Sequence, residues 1–216
     1  MDFVKLVILI LAAYLIGAVP NGLIIGRMHG VDLRQHGSGK IGATNVNRVV
    51  GRRAALVVLL LDALKGALAV LLARLAGWPD PNAEAIAIAC TAVAALTGHI
   101  WSVWIRAFTG RWGGGRGVAT GIGTMLIVNP FVVLFGLVVA IPVILIWRYV
   151  SLGSILGIVA GSTLMVLLVV LQRLSPWLAV YAVVAGAYII VIHYDNIQRL
   201  LTGTERKLHW GKRAGS

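Results

Sequence analysis

VATGIGTMLIVNPFVVLFGLVVAIPVILIW, residues 118–147, is the stretch that decides how many times this chain crosses a membrane. It contains no charged side chain over 30 residues. A transmembrane helix needs about 20 residues, so its length permits one crossing or two. Asn129 and Pro130 interrupt the run near its first third. We predict a turn there and two crossings, of which the first, residues 118–128, is short and needs a thinned bilayer or protein cover.

The composition of the whole chain indicates a membrane protein. Hydrophobic residues make up 59% of the 216 residues, charged residues 12%, and the mean hydropathy is +0.93. Such values are typical of a chain with many membrane spans. The first apolar run is too long for a cleaved signal and lacks a basic start, so we interpret it as a retained span. The other predicted spans are the apolar runs at residues 4–25, 54–76, 83–105, 152–171 and 177–192.

The distribution of basic residues predicts the topology. The formal net charge is +12, with only seven acidic residues, and lysine and arginine remain mostly on the cytoplasmic side of a membrane. The basic segments are residues 27–53, residues 106–117 and the tail after residue 193. If all three are cytoplasmic, the chain crosses an even number of times between the last two, which requires two crossings within residues 118–147. The predicted fold class is all-α: a polytopic integral membrane protein with seven transmembrane helices, its N-terminus outside and its C-terminus cytoplasmic, forming one membrane-embedded domain over residues 1–216.

The same features exclude several classes of function. The basic residues lie in short loops rather than on a soluble face, which excludes nucleic acid as a partner and suits anionic lipids or substrates. A single cysteine, Cys90, excludes an internal disulfide. No zinc-ligand spacing of Cys and His occurs, so we predict no metal.

The first polar stretch is GSGKIGATNVNR, residues 37–48. Glycines allow backbone N–H groups to turn toward a ligand and form an anion-binding concavity. Arg48 adds a fork of donors suited to phosphate or carboxylate. The stretch is not a Walker A loop, since the spacing and the closing Gly-Lys-Ser/Thr are missing. The alternative is a solvated loop between two membrane helices.

The second polar stretch is RAFTGRWGGGRG, residues 106–117. Adjacent glycines cost conformational entropy, and a close approach of backbone N–H groups to an anion would justify them. The alternative is a flexible loop. The residues concerned are Gly113, Gly114, Gly115 and Gly117, which surround Arg116.

The third polar stretch is HYDNIQRLLTGTE, residues 193–205. His193, Asn196 and Arg199 are spaced by three, so one helical face can present all of them. The alternative is an interfacial helix whose basic side chains contact lipid headgroups. Ser151 and Ser154 are expected on the same cytoplasmic side.

Charged residues also occur inside a predicted span. Asp62 and Lys65 are three apart and therefore lie on one helical face, where they form either a polar pocket or a pair that satisfies itself. His99, near the end of the third span, is either part of a site or an interface residue with its own partners. Asp62 and Lys65 would also suit a transporter of an organic phosphate or lipid, and the basic loops alone would suit a structural membrane subunit.

The three polar stretches together carry a specific resemblance. The chain resembles the bacterial acyl-phosphate:glycerol-3-phosphate acyltransferase (PlsY) family. The family patterns GSGNIGATNVxR, GHxxPxFxxFxGGKGVAT and RHxxNIxRLxxGTE are similar to residues 37–48, 98–120 and 192–205. The departures are Lys40 for Asn, Ser102 for Pro, Arg116 for Lys and Ile192 for Arg.

The resemblance implies a function and a location. The family transfers a fatty acyl group from acyl phosphate to the 1-hydroxyl of sn-glycerol 3-phosphate, giving lysophosphatidic acid and inorganic phosphate, the first step of phospholipid synthesis. Acyl phosphate is already an activated mixed anhydride, so no cofactor is expected. The resemblance implies the bacterial inner membrane, an active site facing the cytoplasm, membrane lipid around the protein and contact with an acyl-phosphate-forming enzyme.

The site residues follow from the matched stretches. We expect Ser38, Arg48, Arg116 and Asn196 to hold glycerol 3-phosphate, and Ser151 with the backbone of residues 113–117 to hold the acyl phosphate. The general base is His193 or, as we favour, the substrate phosphate. The predicted substrate-binding residues are Gly37, Gly39, Gly42, Asn45, His99, Gly113, Gly114, Gly115, Gly117 and Glu205.

Overall fold

The structure is a computed structural model that describes residues 2–208, and these residues form α-helices without any β-strand. Most connections are short turns, but residues 29–42 and 110–117 form longer segments. A single 3-10 turn, Leu33–Gln35, lies between the second and third α-helices. The α-helices are α1 (Phe3–Gly17), α2 (Asn21–Met28), α3 (Ala43–Val49), α4 (Arg52–Leu75), α5 (Pro81–Ile100), α6 (Val103–Thr109), α7 (Val118–Val128), α8 (Pro130–Trp147), α9 (Val150–Val170), α10 (Pro176–Ile192) and α11 (Tyr194–Leu201).

Five helical segments of the described chain are long and apolar enough to cross a membrane. A sixth is present if α10 and α11, which meet at a bend of 59°, are counted as one span. α7 has 11 residues and a length of about 16 Å, shorter than a bilayer core. The predicted all-helical membrane fold is therefore confirmed, whereas the count of seven spans and the orientation stay predictions. The five segments are Phe3–Met28, Arg52–Leu75, Pro81–Thr109, Pro130–Trp147 and Val150–Val170.

The predicted break in the apolar run at residues 118–147 is present. α7 ends at Val128 and α8 begins at Pro130, with Asn129 in an extended conformation between them. The side-chain Oδ1 of Asn129 accepts hydrogen bonds from the N–H groups of Phe131 and Val132 at 3.0 and 3.3 Å. Asn129 thus caps α8, and Pro130 occupies the first helical position, where its missing N–H costs nothing.

Three predicted boundaries differ from the structure. The run at residues 4–25 is divided into α1 and α2 around Pro20, whose ring cannot continue a helix. The predicted third span, residues 83–105, breaks after Ile100, and Ser102 caps α6 by accepting a hydrogen bond from the N–H of Ile105. The first polar stretch is not wholly a loop, because its second half forms α3.

Glycines bring the helix backbones into close contact. A Cβ on Gly17 of α1 would lie 2.1 Å from the carbonyl oxygen of Ala95 in α5, and one on Gly123 of α7 would lie 1.8 Å from that of Ala63 in α4. Close approach through small residues is the usual way in which helices associate in lipid. These contacts fix α1 against α5 and α4 against α7, and α4, α5 and α7 carry part of the site.

Candidate active site

A cavity of about 400 Å³ collects the predicted site residues from distant parts of the chain. All six residues predicted to be catalytic line it, together with Gly42, Asn45, His99, Gly117 and Glu205 from the predicted substrate-binding set. The rest of that set does not line the cavity: Gly37, Gly39, Gly113, Gly114 and Gly115. The structure therefore places the three polar stretches at one cavity, and the role of each residue stays a prediction.

Asn45 holds the first polar stretch in shape. Its Oδ1 accepts a hydrogen bond from the N–H of Ser38 at 2.9 Å, while its Nδ2 lies within 2.8–3.2 Å of the carbonyl oxygens of Leu33, His36 and Lys40. Gly37 has φ +62°, and a Cβ there would lie 2.1 Å from Asn45 Oδ1. The loop thus closes around the Asn45 amide, and Ser38 is held at the cavity as a result.

The glycine run of the second stretch packs against the end of α5. The N–H of Gly115 donates to the carbonyl oxygen of His99 at 3.1 Å, and that of Ser102 donates to Gly113. A Cβ on Gly114 would lie 2.2 Å from the His99 carbonyl oxygen, and one on Gly115 would lie 2.1 Å from His99 Nε2. The close approach expected from adjacent glycines is present, but here its partner is His99 and the N–H of Gly115 is already used.

Arg116 and the start of α7 lie where this glycine run ends. Gly117, with φ +83°, turns the chain into α7, whose N-terminal N–H groups carry partial positive charge at the cavity. Arg116 Nη2 donates to Asp195 Oδ2 at 3.1 Å, while its buried Nε has no hydrogen-bond partner among the described residues. Burial lowers the pKa of Arg116, Asp195 opposes that shift, and the charge of Arg199 adds to it.

Arg48 lies in the last turn of α3, close to other cations. Its Nη2 donates to the carbonyl oxygen of Arg206 at 3.5 Å. Burial lowers the pKa of Arg48, and the neighbouring charges of Arg206, Arg116 and Arg199 lower it further, against the raising effect of Glu205. Clustered, partly desolvated guanidinium groups repel one another, so an anion bound between them would be strongly favoured.

Glu205 is the counter-charge of this site. Its Oε1 accepts hydrogen bonds from Ser151 Oγ at 2.8 Å and Asn196 Nδ2 at 2.7 Å, and its Oε2 accepts one from Arg199 Nε at 2.8 Å. Burial alone would raise the pKa of Glu205, but these three hydrogen bonds outweigh it and lower the pKa. The carboxylate therefore orients the start of α9 and the inner face of α11.

His193 lies at the bend between α10 and α11. Its Nδ1 is 2.8 Å from the carbonyl oxygen of Ile189, and the residue is buried. A carbonyl oxygen only accepts, so Nδ1 carries the proton and Nε2 of the neutral ring is left as an acceptor. Such a nitrogen can receive a proton, which suits His193 as the second candidate for the general base, beside the substrate phosphate that we favour.

The charged pair inside α4 satisfies itself. Lys65 Nζ lies 2.9 Å from Asp62 Oδ1 and donates to the carbonyl oxygen of Val19 at 2.8 Å, while Asn21 donates to Asp62 at 3.0 Å. His99 Nδ1 lies 3.7 Å from Asp62, and both residues also line the cavity. The sequence left open a polar pocket or a pair that satisfies itself, and the main contacts of Asp62 and Lys65 are those of the pair.

Several residues of the site were not predicted from the sequence as site residues: Lys40 and Thr44 line the cavity, and Asp195 and Arg199 contact residues that line it. Asp195 pairs with Arg116 and Arg199 pairs with Glu205. Both lie within the third polar stretch, and the spacing by three had placed Arg199 on the same helical face as Asn196. Nothing in the sequence links Asp195 to a residue 79 positions away.

The far part of the cavity is apolar and is lined by α8, α9 and α10. A polar, cationic end that leads into an apolar slot between membrane helices suits an amphipathic anion such as a phosphorylated lipid. The fold and site together define an integral membrane protein that handles a substrate of this class.

Comparisons with known proteins identify the family. Residues 7–203 match the family model described as glycerol-3-phosphate acyltransferase. The glycerol-3-phosphate acyltransferase of Trichlorobacter lovleyi is 41% identical over 198 residues, covering 92% of this chain and 95% of that protein. The enzyme of the same description from Thermus thermophilus is 42% identical over 199 residues, covering 92% and 93%.

Solved structures agree with this assignment. The glycerol 3-phosphate form of PlsY, an integral membrane glycerol 3-phosphate acyltransferase, superposes with a TM-score of 0.82 at 37% identity, covering 94% of this chain and 96% of that one. The lysophosphatidic acid form gives a TM-score of 0.80 at 36% identity, covering 94% and 95%. The chain belongs to the glycerol-3-phosphate acyltransferase family, and the resemblance found in the sequence is confirmed.

Proposed function

We propose that the protein transfers a fatty acyl group from acyl phosphate to the 1-hydroxyl of sn-glycerol 3-phosphate, giving lysophosphatidic acid and inorganic phosphate. The observation that carries this proposal is that Arg48 and Arg116 line the polar end of a cavity whose other end is apolar, with the charge of Arg199 acting on both. The family membership and the glycerol 3-phosphate and lysophosphatidic acid forms of PlsY support the acceptor and the product.

The shape of the cavity supports acyl phosphate as the donor. An acyl phosphate places an anionic head and an apolar tail at opposite ends, as the cavity does with its cations and its slot. The mixed anhydride is activated already, so the transfer needs binding and charge stabilisation more than an added cofactor. The donor is supplied by a separate acyl-phosphate-forming enzyme, and contact with that enzyme stays a prediction.

The proposed reaction is a direct acyl transfer. The 1-hydroxyl oxygen of glycerol 3-phosphate attacks the acyl carbonyl carbon, a new ester bond forms, and the bond from that carbon to the phosphate oxygen breaks. The phosphate leaves with the electron pair of that bond. Arg48 and Arg116 hold the phosphate of the acceptor with Ser38 and Asn196. The N–H groups at the start of α7 face the donor phosphate and the developing oxyanion, and Ser151 turns its hydroxyl from Glu205 to the donor when the donor binds.

The hydroxyl proton passes to an acceptor at the site. We propose that a phosphate oxygen of the substrates takes this proton, because Glu205 already accepts three hydrogen bonds within the protein. His193 Nε2 is the alternative acceptor. A His193→Gln variant that keeps turnover within about tenfold supports the phosphate, since losing a true general base costs 10² to 10⁴-fold.

We further propose seven membrane crossings, with the N-terminus outside and the active site facing the cytoplasm of a bacterial cell membrane. The basic segments around α3, the glycine run and α11 support this orientation. Arg74, in the last turn of α4, donates to the carbonyl oxygen of Ile127 near the end of α7 at 2.7 Å. The end of α7 therefore lies beside the end of α4, which we propose is a span. A short helix that crosses the membrane under the cover of neighbouring protein would end at such a position.

The enzyme assay tests this function with two donors. Purified protein with acyl phosphate and radiolabelled glycerol 3-phosphate should form labelled lysophosphatidic acid and one phosphate per product, whereas acyl-CoA should give none. Arg48→Ala should lower kcat/KM for glycerol 3-phosphate by about tenfold or more, chiefly through a higher KM, because a guanidinium group that holds the acceptor phosphate is lost. Arg53→Ala, which removes an exposed arginine outside the cavity, is the matched control. Movement of unmodified glycerol 3-phosphate into vesicles, without product, would instead indicate a transporter.

A further inference from the structure

The apolar end of the cavity closes at Tyr181 in α10. Tyr181 is 2% exposed and belongs to the same buried hydrophobic cluster as Val132 and Met165. Tyr181, Val132 and Gly161 all line this end of the cavity, opposite the arginines. The ring therefore lies where the tail of a bound acyl group would end.

The lining shows the direction of this slot. Along α9 the lining residues run from Ser151 to Ser162, and along α10 they run from His193 back to Tyr181. At 1.5 Å per residue, the step from Ser151 to Ser162 covers about 16 Å. Since Ser151 faces the polar end, an acyl chain that starts there extends toward Tyr181.

Tyr181 also borders a second, apolar cavity of about 590 Å³. This second cavity lies between α1, α5 and α10 and opens to the outer surface of these helices, since Leu11, Trp177 and Val184 in its lining are exposed. Among the described residues, Tyr181 is the one that lines both cavities. Its side chain is thus a partition between the slot for the acyl group and additional apolar space.

We propose that Tyr181 determines acyl-chain specificity by setting the longest chain that the slot accepts. This inference rests on the proposed use of an acyl donor in the apolar end of the cavity. Removing the ring joins the slot to the second cavity, which provides space for a longer acyl chain. Adding volume at the same end shortens the slot.

The contacts around Tyr181 supply matched variants. The Tyr181 hydroxyl contacts Thr124 Oγ1, which also donates to the carbonyl oxygen of Gly121 at 2.8 Å, so Tyr181→Phe keeps the partition and leaves Thr124 with a partner. At Gly161 the nearest atom to an added Cβ is the carbonyl oxygen of Val132 at 3.4 Å, an ordinary contact. Gly161→Ala therefore fills the end of the slot without disturbing the helices.

The test compares kcat/KM for lauroyl, palmitoyl and stearoyl phosphate in the purified wild-type enzyme and these variants. Tyr181→Ala should raise the ratio of the longest to the shortest donor on the order of tenfold, and Gly161→Ala should lower it by about as much, as expected for changes of methylene size in an apolar pocket. Tyr181→Phe should keep the wild-type ratio.

The outcomes separate this inference from the proposed function. An active enzyme whose donor ratios are unchanged in both Tyr181→Ala and Gly161→Ala overturns the role of Tyr181. A wild-type enzyme that uses none of the acyl phosphates overturns the proposed donor instead. If Tyr181→Ala does not fold, the shift in Gly161→Ala decides, because that variant adds volume without opening a cavity.

Discussion

At the scale of single residues, the active site is a balance between cations that repel one another and the carboxylates of Glu205 and Asp195. Arg48 and Arg116 are partly desolvated, which lowers the pKa of both groups. Glu205 supplies the opposing charge from a buried position and holds Ser151, Asn196 and Arg199 by hydrogen bonds. The site keeps a net positive charge, so the binding of an anionic phosphate is favoured.

We predict that Glu205→Gln lowers the stability of the protein at neutral pH by about 2 kcal/mol, the usual scale of hydrogen bonds to a buried charge. The pKa of Glu205 lies below its ordinary value of 4.5 in the folded protein. The charged form therefore contributes stability above pH 4.5, and that contribution is lost as pH falls through the lower folded-state pKa. Thermal unfolding in detergent should show a difference between wild type and variant that shrinks toward acidic pH.

Glu84→Gln is the control for this prediction. Glu84 faces Arg74 at 3.5 Å, but the side chains are 37% and 49% exposed, so little stability depends on the pair. A wild-type advantage over Glu205→Gln that stays constant into acid would show that the charge of Glu205 does not matter.

Much of the site's residue composition could be predicted from the sequence, but its internal contacts could not. Arg48, Arg116 and Asn196 stand in recognisable stretches and do reach one cavity. The packing of Gly115 on His99 depends on how α5 meets the following loop, and the glycines themselves suggested an anion instead. Short-range patterns report residue type, whereas such contacts depend on tertiary structure.

At the scale of helices, α7 is the critical element, because it follows directly from Arg116. Its backbone lies against α4 at Gly66 and Gly123, where no side chain fits between the helices. Any change that separates α7 from α4 therefore moves the start of α7 and Arg116 with it.

We predict that Gly123→Val destabilises the protein by about 1–3 kcal/mol or more and lowers activity, because a Cβ there would lie 1.8 Å from the carbonyl oxygen of Ala63. Leu126→Ala, on the same helix but 47% exposed, should leave both properties near wild type. Unfolding temperature and turnover, measured side by side, check this. Equal behaviour of the two variants would contradict the packing described here.

Helix positions were largely predictable, and the exceptions have physical reasons. The break at Asn129 follows from a capping residue before proline. α3 was missed because its seven residues, ATNVNRV, are short and carry no apolar period, so only its packing supports it. The division of the first span reflects Pro20, which cannot continue a helix and which the apolar composition of residues 4–25 does not reveal.

At the scale of the whole molecule, the basic segments are predicted to share one side of the membrane. We predict that cysteines at Gln35 and Arg111, introduced into a Cys90→Ala background, react with a membrane-impermeant reagent only in inverted vesicles. Cysteines at Pro79 and Arg173 should react in intact cells. All four positions are exposed, so access depends on the side of the membrane. Labelling of Gln35 and Arg111 from opposite sides would rule out the shared site.

Seven crossings could be predicted by placing all basic loops on one side of the membrane. The lengths and hydropathy of the described helices identify only five or six of these crossings. α7 is apolar but has only 11 residues, so its length alone does not identify it as a span; its close packing against α4 is what supports the proposed crossing. A hydropathy criterion is applied to each segment separately, so it does not include contacts with neighbouring helices.

The measurement that tests the central claim most directly is a double-mutant cycle on glycerol 3-phosphate binding, by calorimetry, with Arg48→Ala, Arg116→Ala and the double variant. If both arginines hold one phosphate, each single variant should weaken binding by about tenfold or more, and the effects should be non-additive, with a coupling of about 0.5–3 kcal/mol. Unchanged affinity in either single variant, or strictly additive losses, would contradict a shared anion site.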